Sequence, residues 1–204
     1  RKFATVLEPI MVEGKAKLPS KFRITAEACK VAGPNDLKKS KILVIGGGSS
    51  EEIDDVRVIT NKSTGKMAKY IAETAFSMGA EVDLWMGNTT EEVGEWISQE
   101  SFCSTHDLNK KIKKLGKYDA ILVPAALSDF IPIKNKGKIS SNKIPEIKLK
   151  RAKKSIEMIR KKHNGILCTF KLESGLKDND LIEKGKNLLK ISDFVIANNS
   201  DVLG

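Results

Sequence analysis

The chain has 204 residues, a formal net charge of +10, three cysteines and two histidines. That length supports one domain with a short appendage. Widely spaced Cys29, Cys103 and Cys168 argue against a disulfide framework or a zinc knuckle, and His106 and His163 alone argue against a histidine-rich metal site.

No apolar run is long enough to span a bilayer and no signal-peptide pattern is present, so a reducing, cytoplasmic setting without a membrane partner is expected. Residues 1–40 have weak periodicity, broken by Pro9, Gly14, Pro19, Gly33 and Pro34, and read as a tail or linker. From Lys41 the pattern is regular. KILVIG is a short strand, apolar after its opening lysine, of the kind buried on both faces of a parallel sheet. After a glycine turn, residues 65–78 place Met67, Ile71, Ala75 and Met78 on one predicted helical face. AEVDLWM is the second predicted strand, residues 105–115 a basic surface helix, and DAILVPAA the third strand. An irregular stretch over 127–145 follows. EIKLK then alternates as a strand, SIEMIRKK is a short helix and GILCTFKL another strand. Residues 178–190 form a helix with Leu181, Ile182, Leu188 and Leu189 apolar, and DFVIAN is a closing strand. Alternating strands and helices predict an α/β fold, a mostly parallel sheet flanked by helices, with ligands beyond the carboxyl ends of its strands.

The positive charge is concentrated. Residues 134–162 hold twelve Lys or Arg against Glu146 and Glu157 alone, which equals the net charge of the whole chain. Such a block can meet nucleic acid, an anionic substrate or water. Phe130 is the one aromatic near it and none lies within it, which argues against base stacking and a nucleic-acid partner.

The turn in VITNKSTGKM suggests a phosphate loop. A P-loop would need glycine where Thr60 stands and a hydroxyl where Met67 stands. A dinucleotide fingerprint would need a third glycine where Glu51 follows Gly46, Gly47 and Gly48. What remains is a glycine turn after one strand and a polar turn, with Asn61 and Ser63, that either binds an anion or caps a helix. At the end of DAILV, small Ala125 and Ala126 would let a flat ring approach the backbone, and Asp129 either accepts from a ribose hydroxyl or caps a turn. Lys138 sits on a glycine-hinged, mobile loop suited to meet a phosphate, or is one solvated lysine among many. Phe170 lies at another strand end, and Lys186 and Lys190 share a helix face on which an anion would relieve their repulsion, or are a solvated lysine pair.

The order of these pieces is more specific than any one of them. D-x-V-R-x-I-[ST]-N-x-S-[ST]-G-K-M is matched over residues 54–67, followed by AALSDF, GKISS, FKLES and KGKNLLKISDFVIANN. The run resembles the phosphopantothenate–cysteine ligase family of coenzyme A biosynthesis, from about Lys41 onward. LEPIMVEGKAKLPS is similar to the end of the decarboxylase half that precedes the ligase in bifunctional members. That implies an upstream remnant over 1–40 and a ligase domain over 41–204, which stops short of the family's usual C-terminal strands.

The resemblance implies a Rossmann-like homodimeric enzyme that joins 4′-phosphopantothenate to L-cysteine with CTP, or ATP, and Mg2+. The carboxylate attacks the α-phosphorus, pyrophosphate leaves, and the cysteine amine displaces the nucleoside monophosphate. Asn61 then orients the acyl-nucleotidylate and Lys138 binds nucleotide and assists the reaction. Val123, Pro124 and Ala125 lie against the base; Asp129, Phe170, Lys186, Lys190, Gly46, Gly47 and Ser63 contact nucleotide; Arg57 and Ala126 border the phosphopantothenate. The chain departs from many members where AKKSI (152–156) replaces N-P-D-[IV], where IGGGSSEE replaces T-x-G-x-T-x-E, and at FKLES, which is closer to animal forms. Alternatives are an NAD(P)-dependent oxidoreductase, disfavoured by the broken fingerprint, and a basic nucleic-acid-binding module.

Overall fold

The computed structural model describes residues 4–142 and 144–200, so Lys143 of the basic block and residues 201–204 of the expected domain lie outside the described residues. In chain order the first elements are strands β1 (Ile10–Val12) and β2 (Lys15–Lys17), helix α1 (Lys21–Ala32), and strands β3 (Lys41–Gly46), β4 (Ser50–Glu52) and β5 (Val58–Thr60). Then come helix α2 (Lys66–Ser77), strands β6 (Glu81–Met86) and β7 (Ser98–Ser101), helix α3 (Thr105–Lys113), and strands β8 (Ala120–Val123), β9 (Phe130–Pro132) and β10 (Leu149–Arg151). Helix α4 (Ser155–Arg160), strand β11 (Ile166–Glu173), helix α5 (Asp178–Leu188) and strand β12 (Phe194–Asn199) complete them.

Six strands form one sheet in the order β12–β11–β8–β3–β6–β7, every pair parallel. Alternation along β3 divides the core. Ile42 and Val44 join Val82, Leu84 and the inner face of α2 in one cluster. Leu43 and Ile45 join Ile121, Leu167, Leu108 and Ile112 of α3, and Ile159 of α4 in the other. Burying each such aliphatic side chain contributes about 1.5–3 kcal/mol, which is why the apolar run from Ile42 to Gly46 takes the centre of the sheet. Among the described residues no helix is long and apolar enough to cross a membrane.

Several elements differ from the sequence expectation. The buried face of α2 is Ala68, Ala72, Ala75 and Phe76, while Met67 is 49 % exposed. Small side chains let the helix ride close to the sheet. A Cβ on Gly46 would stand 2.0 Å from that of Ala68, so the first glycine of the turn is a packing requirement. Within the stretch read as a tail, α1 is capped by Ser20, whose side chain accepts from Arg23 N. It buries Ala26, and Lys30 Nζ lies 4.0 Å from the Phe76 ring centroid. The EIKLK strand shrinks to β10, which pairs antiparallel with β9 outside the main sheet and is exposed throughout. Helix α3 is not only a surface helix, since Leu108 and Ile112 are fully buried.

Candidate active site

The carboxyl ends of β3, β8 and β11 lie side by side in the sheet. After β3 the chain does not enter a helix. Gly48 bridges to both Asn88 and Ala126, and the chain then forms the antiparallel pair β4–β5; α2 starts only after that hairpin. A dinucleotide site needs a helix opening directly from the glycine turn, so this geometry removes the physical basis for one. Glu51, at the place of the third fingerprint glycine, is 4 % exposed and accepts from Thr105 N at 2.9 Å and Thr105 Oγ1 at 2.7 Å. Its charge thus supports the first turn of α3, where a carboxylate is favoured.

Ser49 joins the strand ends. Its N–H donates to the Ala126 carbonyl at 3.1 Å, its carbonyl accepts from Thr60 Oγ1 at 3.0 Å, and its Oγ accepts from Ser128 N at 3.0 Å. Asn61 Nδ2 donates to the same Ala126 oxygen at 2.8 Å. Asn61 is therefore not the helix cap: α2 begins after Gly65, which has φ 80° and no capping side chain. That φ, with Thr89 Oγ1 2.5 Å from where a Cβ would stand, makes glycine necessary in the STGKM turn for steric reasons alone. Ser63 flanks Gly48 in the same turn.

A cleft of ≈ 450 Å³ opens where β8 and β11 end, between α4 and α5. Val123, Ala125, Asp129, Phe170 and Lys190, expected from separate parts of the sequence, all line it. So do Lys153 and Lys154 of the AKKSI stretch, which are not among the expected site residues; Lys154 Nζ pairs with Asp129 at 2.6 Å. Ala126 forms the junction with Asn61, and Gly47 supports it by accepting from Ala126 N at 2.9 Å. Gly46, Pro124 and Ser63 are not on the cleft wall, nor is Lys186, which pairs with Glu183 at 2.6 Å on the exposed side of α5. Larger hollows exist: one of ≈ 810 Å³ between α1 and α2, away from the strand ends, one of ≈ 580 Å³ beside β4 and Cys103, and one of ≈ 470 Å³ lined by Arg57, Ile139 and Ser140.

Lys138 is exposed and has no hydrogen-bond or ion-pair partner among the described residues. Its neighbours are held by the β4–β5 turn. Asp54, 1 % exposed, receives the N–H groups of Ile139, Val56 and Arg57 and the Arg57 guanidinium. The Ile139 N–H, with those donors and the arginine charge behind it, holds the Asp54 carboxyl down at about 2 despite its burial. Arg57, expected beside the acyl substrate, gives Nη1 to Asp54 at 2.9 Å and to the Ile139 carbonyl at 3.2 Å. The backbone of Ile139, next to Lys138, is thus held at both its N–H and its carbonyl.

Part of the basic block is neutralised: Lys134 meets Glu52 and Asp55, and Arg160 meets Asp193. The polar junction of Ser49, Glu51, Thr105 and Ser128 is not evident from sequence; the one local signal for it is the SSE that follows the glycine turn.

Residues 37–204 match the family described as DNA/pantothenate metabolism flavoprotein C-terminal domain. The chain belongs to this family. Within it, the chain is 34% identical over 207 residues to a protein of Thermococcus kodakarensis named coenzyme A biosynthesis bifunctional protein CoaBC, covering 97% of the chain and 51% of that relative. The chain therefore spans about half the length of the curated relative. The structure titled DNA/pantothenate metabolism flavoprotein from Streptococcus pneumoniae superposes with a TM-score of 0.72 at 29% identity, over 78% of this chain and 82% of that one. The C-terminal domain of a CoaBC protein superposes with a TM-score of 0.65 at 27% identity, over 79% and 78%. The Rossmann-like α/β fold is the fold of this family.

Proposed function

We propose that the chain is the ligase half of a coenzyme A biosynthesis protein. It joins 4′-phosphopantothenate to L-cysteine through an acyl-nucleotidylate formed from CTP, with ATP as the alternative donor. The observation that carries this reading is the convergence of Val123, Ala125, Asp129, Phe170 and Lys190 on one strand-end cleft, beside the junction of Asn61 with Ala126. Membership of the family supports it.

The cleft suits a nucleoside. Small Ala125 leaves room for a flat base, Phe170 and Val123 supply apolar wall, and Asp129 can exchange Lys154 for a ribose hydroxyl. Lys153 and Lys190 make no ion pair among the described residues and lend charge toward phosphate. Phosphopantothenate carboxylate then attacks the α-phosphorus, the O–P bond forms, and pyrophosphate leaves. The cysteine amine attacks the activated carbonyl and the nucleoside monophosphate departs with the bond electrons. Bringing two anions together needs cations and aimed donors, the part read for Lys138 and Asn61, with Arg57 at the acyl substrate. Magnesium would accompany the triphosphate as its counter-ion. We also read the enzyme as a cytoplasmic homodimer, with residues 1–40 as the end of an upstream decarboxylase domain.

Pyrophosphate release with each triphosphate, with and without phosphopantothenate, tests the reading. Release from CTP that requires phosphopantothenate is expected, with weaker release from ATP. Release from ATP alone would reassign the base, and no release from either would reject the ligase.

A further inference from the structure

Lys138 has no protein partner of its own among the described residues, so whatever fixes its position acts through the backbone. Ile139, the next residue, is held at both polar atoms of its backbone. Its N–H donates to Asp54 Oδ2 at 3.0 Å, and its carbonyl accepts from Arg57 Nη1 at 3.2 Å. The same Arg57 nitrogen reaches the same Asp54 oxygen at 2.9 Å, so carboxylate, guanidinium and peptide close one ring. On the other side, Gly137 N–H donates to Asp55 Oδ2 at 3.0 Å, and Lys134 Nζ meets Asp55 at 3.0 Å and Glu52 at 2.9 Å.

Asp54 is the fixed point of this assembly. Its other oxygen is occupied by Val56 N at 2.8 Å and Arg57 N at 2.7 Å, so its own turn sets the carboxylate before the loop arrives. The carboxylate is buried, while the Asp55 and Lys134 side chains are about half exposed and contribute less. A loop containing Gly137 at φ 70° would sample many positions without such anchors.

We infer that Asp54 is a positioning residue: with Arg57 it clamps the Ile139 backbone and so sets where Lys138 stands. The inference rests on the reading of Lys138 as a lysine of the reacting site. Releasing the clamp leaves the charge in place but spreads it over positions that do not serve the reaction, which lowers turnover more than binding.

The test uses the full chain. Trypsin cleavage after Lys136 and Lys138, timed by mass spectrometry under native conditions, reports release of the loop. Asp54→Asn and Arg57→Met are each expected to speed it about tenfold, since proteolysis follows the open population. Asp54→Asn is expected to lower kcat for pyrophosphate release about a hundredfold in the Lys138 chain, yet no more than about twofold in a Lys138→Gln chain, because a residue acting through the lysine has nothing left to position. The KM for nucleotide should change little. Unchanged cleavage in both variants, or an equal loss of kcat in both backgrounds, overturns the clamp. If Lys138→Gln itself keeps full turnover, the reading of Lys138 fails; if it stops turnover while Asp54→Asn does not, only the clamp fails.

Discussion

The side-chain amide of Asn61 donates to the main-chain carbonyl of Ala126 at 2.8 Å, joining the STGKM turn to the end of β8. Asparagine is needed there as a donor. A carboxylate in its place would set an acceptor against an acceptor. Asn61→Asp is therefore expected to lower stability by about 1–2 kcal/mol, the cost of a lost and opposed hydrogen bond. Urea unfolding measures this. If Asn61 meets the reactants as proposed, ligase turnover should fall much further, because the new charge would face two anions. Normal stability together with normal turnover would show that the bond to Ala126 does neither task.

Lys138→Gln should separate chemistry from folding. The lysine is exposed and unpartnered among the described residues, so its loss should change stability by less than ~0.5 kcal/mol. If it meets the triphosphate, turnover should fall by about 2–4 kcal/mol of barrier. Paired melting and pyrophosphate-release measurements check both halves, and near-normal turnover would leave the residue a solvated lysine.

Gly46→Ala is expected to act on the core. The added methyl meets Ala68 at 2.0 Å, so helix α2 must move away from the sheet, at a cost of about 1–3 kcal/mol. Nucleotide affinity per folded molecule, measured by calorimetry, should stay within a few-fold of the parent. A selective loss of affinity with unchanged stability would instead make Gly46 a nucleotide contact.

Acid should loosen the molecule in a defined window. The Ile139 N–H holds the Asp54 carboxyl at about 2. Asp55 is lowered first by Lys134, Glu173 first by Lys171, and Asp193 first by the Leu167 N–H. A depressed folded pKa means that the unfolded chain binds the proton more readily. The stabilisation is then full above the unfolded carboxylate value of about 4 and is lost as pH falls toward the folded value. The urea midpoint should therefore decline between roughly pH 4 and pH 2, and Asp54→Asn should flatten that decline. An identical pH profile in the variant would remove Asp54 from the cause.

Strands such as KILVIG and DAILV can be read from sequence because their burial on both faces leaves a local apolar run. β7 cannot, since SQES contains no apolar residue and is placed only by pairing with β6 at the sheet edge. Helix α1 is hidden because its apolar side is completed by α2 and not by its own periodicity. The cleft is visible in sequence as separate residues, with nothing to say that they meet. Ala125 and Phe170 become neighbours only because β8 and β11 pair in parallel. Lys154 joins them from the N-cap of α4, and its pairing with Asp129 has no local signature. The Asx-like geometry of Asp54 is local, but its bond to Ile139 spans distant segments.

The junction beyond the strand ends also bears on exchange of backbone amide hydrogens with solvent. Gly87 N–H is bonded to Gly46 O, Gly48 N–H to Asn88 O, Ser49 N–H to Ala126 O and Ala126 N–H to Gly47 O, all between 2.9 and 3.1 Å. These four amides lie past the regular strands, yet each is tied to the segment leaving a neighbouring strand. Opening one requires separating β3 from β6 or β8 at their ends, a rearrangement that belongs to global unfolding more than to loop fraying. In deuterium oxide they should exchange as slowly as amides inside β3. The junction beside the cleft would then belong to the most slowly opening cooperative unit of the protein.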